Sequence, residues 1–583
     1  MIHVIWNEKQ AEHRWNQGRD EYTLYLFEIL KQSGFAYTVW SPEAWLNSRP
    51  QGVSIVAGLE PRADWSDIFE DYCRSGNALL AIGDTHSLDA ALGVKRLRSI
   101  KEGWIDWSGS ALADGLRSSF HFFGGTLVKA EESVETEGAV TLSNGSPTSH
   151  PAVTFKAYPG GAAALLSVDL ARTFCLIQQG ISVVKDGVPS PDGSGLINDD
   201  IWKADDGSVL DWVRDRNVLE AGGVPFYMHP IVDEFRLLFI RLLHRLSKTV
   251  SWTMAQVWFW PEGVEAVGHI SHDTDGNAPG AAEVMLDRLR EAGIKSSWCI
   301  IMPGYPEALY KRIVAEGHEM ALHYNALEAE GCYWDENLFN EQLAALQSQM
   351  AAIGGPAHIR TNKNHYLRWE GDVQFYKWCE RAGIVFEQSK GGTKQGNKGF
   401  LAGTCHPYLP MSDSADRNRI MKVYSNPTLA WDPPVPIRCT MPEAKVLLDR
   451  SKEVYGVAHF LYHPATMAAH GNVGGGFLEL LRYGEEQGLV WWTALELYNW
   501  LELRRTVQAT VEDGYLRITA ERECKGLTVL LPPDAALPEG GGAVVIRSER
   551  MVNRCGMPLR QLILDVPQGV TSIPLRDASA AAV

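Results

Sequence analysis

The run Val264-Glu265-Ala266-Val267-Gly268-His269-Ile270-Ser271 ends in His272-Asp273-Thr274-Asp275-Gly276, and a Gly- and Pro-containing loop then leads into a helical pattern. The apolar run reads as a strand. Two carboxylates one residue apart at a strand's carboxyl end suit metal-assisted hydrolysis: one holds a divalent cation, the other takes a proton from the attacking water. Asp and Gly also favour turns wherever they fall, so a plain charged turn is the competing reading. The surrounding sequence separates the two.

Residues 264 to about 503 alternate strand and helix patterns. Strands are expected at Val264–Ser271, Ser296–Ile300, Glu319–Leu322, His358–Arg360, Val385–Glu387 and Ala458–Tyr462. Helices are expected at Ala281–Ala292, Glu307–Glu316, Leu338–Ile353, Val373–Arg381, Pro442–Val454 and Phe477–Gln487. This is a (β/α) barrel rhythm, in which chemistry gathers at the strands' C-terminal ends. Three further strand ends carry suitable side chains. They are Gly317-His318-Glu319-Met320-Ala321-Leu322-His323, Ile359-Arg360 ahead of Asn364-His365-Tyr366-Leu367-Arg368-Trp369, and Leu461-Tyr462-His463-Pro464.

On the N-terminal side, strands Ile2–Trp6, Ala36–Trp40, Val53–Ala57 and Ala78–Ile82 alternate with helices Tyr22–Gln32 and Asp67–Arg74. That pattern predicts a doubly wound parallel sheet. No G-x-G-x-x-G occupies the first turn, so dinucleotide binding is unsupported. A Gly-, Asp-, Ser- and Pro-rich stretch over 185–223 reads as a long loop or lid, and Phe235–Leu246 as an apolar docking helix. Beyond 506 the period changes to alternation. Val507–Thr519 holds an Asp513-Gly514 hairpin turn, and Leu527–Leu531, Val544–Ile546, Leu562–Val566 and Thr571–Ile573 follow as strands before an Ala-rich tail, expected to be disordered, after Asp577. The chain is therefore expected to be a multidomain α/β protein: a doubly wound sheet over 1–250, a distorted (β/α) barrel over 251–505 and a small β-sandwich over 506–583.

A chain of 583 residues is too long for a single core. Its net charge of −17 disfavours nucleic acid and anionic membrane as partners and suits a neutral or cationic substrate. Nine cysteines without paired spacing argue against a disulfide framework and against a cysteine zinc site. No stretch is apolar enough to span a bilayer, and MIHVIWNEKQ has no leader pattern, so a cytoplasmic location is expected. A homo-oligomer stays open.

In this order and at these strand ends, the motifs resemble the polysaccharide deacetylases of the NodB-homology class, carbohydrate esterase family four, over roughly residues 255–500. The segments Arg360–Trp369 and Gly399–Thr404 resemble a subgroup whose barrel follows a longer N-terminal region. The strand ending Ala81-Ile82-Gly83 resembles the central strand of class I glutamine amidotransferase-like folds, but Asp84-Thr85-His86 stands where those enzymes carry their cysteine. A non-catalytic domain of that kind is implied.

The deacetylase resemblance implies Asp275 and His323 as metal ligands, zinc first among divalent cations. It implies Asp273 as general base, Arg360 as the cation that orients and ionises it, and His463 as general acid. An Asp and two histidines leave positions on such a cation for water and substrate carbonyl. The family's second metal histidine falls four residues after the first, at Leu327 here. His365, Asn325 and Glu328 are the replacements, with His365 favoured because imidazole suits zinc. Relatives often have Tyr-Asp-Ser where this chain has Phe386-Glu387-Gln388. His318, His459 and His406 read as structural. Of the 20 tryptophans, Trp334, Trp369 and Trp431 are the ones placed to meet a sugar. The implied activity is removal of N-acetyl groups from a carbohydrate, with a metal-bound water attacking the amide carbonyl. The rivals are hydrolysis of a small non-sugar amide, and a catalytically impaired barrel that binds glycan or acts as a scaffold.

Overall fold

The computed structural model describes residues 1–187, 192–194, 200–250, 252–393, 395–537 and 545–575. Parts of the expected lid, Val544 and the Ala-rich tail lie outside the described residues.

The first sheet holds nine strands: β1 (Ile2–Ile5), β2 (Tyr37–Trp40), β3 (Val53–Val56), β4 (Ala78–Ile82), β5 (Val94–Asp106), β6 (Phe120–Ala130), β7 (Glu135–Leu142), β8 (Pro147–Tyr158) and β9 (Gly161–Leu166). Their order is β2-β1-β3-β4-β9-β8-β7-β5-β6. The four expected strands pair in parallel, and β9 joins them in parallel along β4. The remainder corrects the doubly wound expectation, because β9-β8-β7-β5-β6 is antiparallel throughout. No crossover helix separates β5 to β9, and without one neighbouring strands can only return on themselves. The β8–β9 return is a tight turn at Pro159-Gly160, where Gly160 holds φ +79°.

The helix Ile231–Thr249 is buried along most of its length and ties this sheet to the next. Asp233 on it accepts hydrogen bonds from Thr404 Oγ1 at 2.6 Å and Cys405 N at 2.7 Å. A short strand, β10 (Gln256–Val257), then leaves to pair with the C-terminal sheet.

The central sheet contains β11 (Ala266–Asp273), β12 (Ser297–Ile300), β13 (Glu319–Tyr324), β14 (Thr361–Asn364), β15 (Phe386–Glu387), β16 (Tyr424–Ser425), β17 (Ala430–Trp431), β18 (Val457–Leu461) and β19 (Leu489–Trp491). All pairings are parallel in the order β16-β15-β14-β13-β12-β11-β18-β17, with β19 also on β11. This parallel half-barrel is compatible with a NodB-type barrel. Capping boxes at Thr440/Glu443 and Thr493/Glu496 start two of its helices. One boundary is corrected: the strand expected at His358–Arg360 runs instead over Thr361–Asn364. Its sequence, TNKN, is wholly polar and wholly buried, so hydrophobic patterning pointed to the neighbouring Ile359.

Residues beyond 506 form antiparallel strands β20 (Val507–Glu512), β21 (Tyr515–Ala520), β22 (Cys524–Leu531), β23 (Val545–Arg554), β24 (Met557–Val566) and β25 (Gly569–Pro574). They make two sheets, β20-β21-β25 and β10-β22-β24-β23. One apolar core runs from Val4 through Leu238, Phe259 and Leu322 to Leu530 and links the segments, and a second cluster in the first sheet gathers Trp45, Phe69 and Tyr72.

Candidate active site

Asp273 closes β11 and is almost fully buried. The loop after it is fixed by side chains: Thr274 Oγ1 accepts from Ile301 N at 3.1 Å, and Asn277 Nδ2 donates to Ile301 O at 2.9 Å. Gly276 holds φ +71°, a conformation that disfavours other residues, and this turn presents Asp275 above the strand ends. Register sets the next members. His323 on β13 lies beside Lys363 on β14, and His365 follows that strand directly.

These elements bring Asp275, His323 and His365 together, with one ligand atom from each inside a 4.8 Å span. His323 Nε2 stands 3.3 Å from Asp275 Oδ1, and His365 Nε2 stands 3.5 Å from the same oxygen. Both rings are oriented through their other nitrogen. His323 Nδ1 bonds to Lys363 O at 2.9 Å, and His365 Nδ1 to Asn325 Oδ1 at 3.2 Å. If each Nδ1 is the donor, both Nε2 lone pairs face Asp275, the arrangement that metal-ligating histidines adopt.

A divalent metal fits this donor set. Ligand atoms about 2.1 Å from a tetrahedral ion stand roughly 3.4 Å apart, close to both spacings. Asp273 Oδ1, Asp275 Oδ1 and His323 Nε2 are buried without a hydrogen-bond partner, which is costly unless a further group satisfies them. Leu327 takes no part. Its N–H donates to Asn325 Oδ1 at 3.0 Å, so Asn325 orients His365 and the turn together.

Electrostatics couple the cluster. Burial disfavours charge on Asp275, yet His323 and His365 hold its carboxyl far below the usual range. Burial likewise opposes charge on His323, but Asp273 and Asp275 outweigh it and raise its pKa.

Arg360, expected beside Asp273, is not among the assembled residues. It precedes β14, at the end of that strand away from His365, and its guanidinium lies 4.8 Å from the Tyr498 ring centroid. It lines a cavity of about 520 Å³ with Glu502 and Arg522. The cation beside Asp273 is Lys363, fully buried, with Nζ 3.8 Å from Asp273 Oδ1. Lys363 Nζ also donates to Ser271 Oγ at 2.5 Å. A polar β14 thus supplies what the arginine motif led one to expect.

His463 follows β18, with Nε2 at 3.7 Å from Asp275 Oδ2. Its Nδ1 lies 2.7 Å from Asp432 Oδ2, and its backbone N–H donates to Asp432 Oδ1 at 2.7 Å. Burial works against a charged His463, but Asp432, with Asp273 and Asp275, pushes its pKa up to about 9. Asp432 also pairs with Arg438. Sequence reasoning missed both Lys363 and Asp432. Lys363 sits in a strand without apolar signal, whereas Asp432 in Ala430-Trp431-Asp432-Pro433-Pro434 lies at a two-residue strand's end and could have been flagged.

The other readings separate cleanly. His459 is buried, 2.8 Å from Ser271 Oγ, and His318 is held by Ser296. Glu387 is buried and accepts from Ser389 N at 2.8 Å; burial pushes its pKa up to about 7. Trp369 is core, and Trp334 packs on Trp369, Phe375 and Trp378. Trp334 and Trp431 are both half-buried, and Trp431 is the one that stands beside Asp432.

No family model matches the sequence, and no curated protein matches it. Solved structures do. Agd3, a carbohydrate deacetylase, aligns over 99% of this chain and 98% of its own at 11% identity and a TM-score of 0.37. A proposed polysaccharide deacetylase from Mycobacterium smegmatis aligns over 44% of this chain and 96% of its own, at 13% identity and a TM-score of 0.33. Gan42B, a GH42 β-galactosidase from G. stearothermophilus, covers 29% of this chain at 13% identity and a TM-score of 0.23, and this chain spans only 27% of its length. Similarities this loose assign no function. Among the described residues, no helix is long and apolar enough to cross a membrane.

Proposed function

We propose that this chain is a metal-dependent amide hydrolase that removes N-acetyl groups from a carbohydrate. The observation that carries the reading is the convergence of three prospective ligands, Asp275, His323 and His365, with two further pairs, Asp273–Lys363 and His463–Asp432, at the ends of parallel strands. A divalent cation held by the three, zinc first, supplies Lewis acidity toward the amide carbonyl and toward water.

The protein's own groups do the rest. Asp273 takes the proton from the attacking water, with Lys363 keeping positive charge beside the carboxylate. His463 delivers a proton to the amine nitrogen as the C–N bond breaks, and Asp432 holds the ring and favours its charged form. The outcome is free amine and acetate. Glu328, the remaining substitute for a second metal histidine, has 65% of its side chain exposed and pairs with Arg368, which favours His365 instead.

We further propose the division into 1–250, 251–505 and 506–583. The first part would be a non-catalytic domain related to amidotransferase-like folds, and the last a β-sandwich. Nine unpaired cysteines support a cytoplasmic setting. Acetate release from a panel of N-acetylated oligosaccharides and small amides tests the activity. Release from sugars supports the proposal, and turnover confined to non-sugar amides replaces it with the rival hydrolase.

A further inference from the structure

We propose that Tyr366 is the platform on which the sugar ring bearing the acetamide stacks, an inference that rests on the deacetylase reading for its choice of ligand. Tyr366 stands between two buried residues, His365 at 7% and Leu367 at 4% exposure, yet is itself 48% exposed. Among the described residues the exposed aromatic side chains are Tyr333, Tyr366 and Tyr515, so water-facing rings are rare in this chain. The Tyr366 ring rests 4.6 Å from the His365 imidazole, centroid to centroid, at an angle of 53°.

The backbone is what places it there. Tyr366 and Leu367 hold φ of +58° and +51°, two consecutive non-glycine residues in the left-handed region. Such strain is uncommon and concentrates where function needs a particular geometry. Here the reversal turns His365 toward Asp275, buries Leu367 and leaves the tyrosine outside. A flat ring with a polar tip suits the apolar face of a pyranose. It stands one residue from a candidate metal ligand, and so close to where a bound acetamide would react.

The test is binding to metal-free full-length protein. Isothermal titration with the hexamer of β-1,4-linked N-acetylglucosamine and with an N-acetylgalactosamine oligomer compares wild type, Tyr366→Asn and Tyr366→Trp. Asn tolerates the left-handed backbone, so Tyr366→Asn removes the ring without imposing new strain. The proposal predicts that one oligomer binds wild type, that Tyr366→Asn weakens it about tenfold, and that Tyr366→Trp restores it. It also predicts a rise of about 2 °C in the Tm of Tyr366→Asn, as strain is released. Equal affinity in wild type and Tyr366→Asn overturns it, as does absence of binding to wild type. A Tm that falls together with affinity marks a structural role and overturns it too. Because the readout is binding without metal, a chain that binds glycan but releases no acetate defeats the hydrolase reading alone.

Discussion

Lys363 Nζ lies 3.8 Å from Asp273 Oδ1, with both side chains inside the half-barrel and Ser271 Oγ accepting from the same nitrogen. Asp273 Oδ1 has no hydrogen-bond partner and faces this lysine, while His323 Nε2 stands 3.8 Å from the other carboxylate oxygen, Oδ2. Lys363→Met is expected to lower kcat on the order of 100- to 1000-fold, the size seen when a fixed electrostatic partner is removed. Metal content should stay at the wild-type level. Arg360→Ala, at the other end of β14, should leave kcat within about twofold. Steady-state kinetics with metal analysis checks both, and a reversed ranking returns the role to Arg360.

Asp432 is buried and bonds both the ring and the backbone N–H of His463. In Asp432→Asn the ring loses its anionic partner while the loop can keep its shape. The expected loss in kcat is on the order of 100- to 10,000-fold, with KM little changed. Activity near wild type would show that His463 needs no such partner.

Asn325 touches no prospective ligand atom but holds His365 through Nδ1, and its own amide donates to Glu330 Oε2 at 2.7 Å. Asn325→Ala should therefore weaken metal binding about 10- to 100-fold, as outer partners of metal histidines do. His365→Ala should weaken it further. Competition against a chromophoric chelator measures both affinities, and unchanged affinity in His365→Ala removes it from the ligand set.

Stability should depend on pH through buried histidines. Burial lowers His244, His269 and His406 to about 4 and His272 to about 3. The unfolded chain takes up these protons near pH 6.5 and the folded chain does not, so each histidine removes about 1.4 kcal/mol of stability per pH unit below that point. Asp169 and Glu387, raised to about 6 and about 7, act in the opposite sense over part of this window, but the histidines outnumber them. The urea midpoint is expected to fall steadily from pH 6.5 to 4. A midpoint that rises on acidification contradicts this.

What the sequence made legible follows from where apolar patterning is strong. β11, β12, β13 and β18 were readable because each holds an apolar run, and Asp273, His323 and His463 lie at or just beyond the ends of β11, β13 and β18. β14 was misplaced because TNKN is polar and faces the interior, so Lys363 stayed hidden behind the more familiar Arg360. The antiparallel half of the first sheet was unread because its long strands lack helices between them and alternate only weakly. His365 was legible as a residue type on a motif loop. Its orientation by Asn325, which lets it stand in for position 327, depends on side chains 40 residues apart.

The most direct test of the central claim is anomalous diffraction from crystals of the metal-supplemented protein, recorded across the zinc edge. One strong peak is expected, bonded to Asp275 Oδ1, His323 Nε2 and His365 Nε2, and absent from crystals of Asp275→Asn. No peak there, or a peak held by other residues, would contradict it.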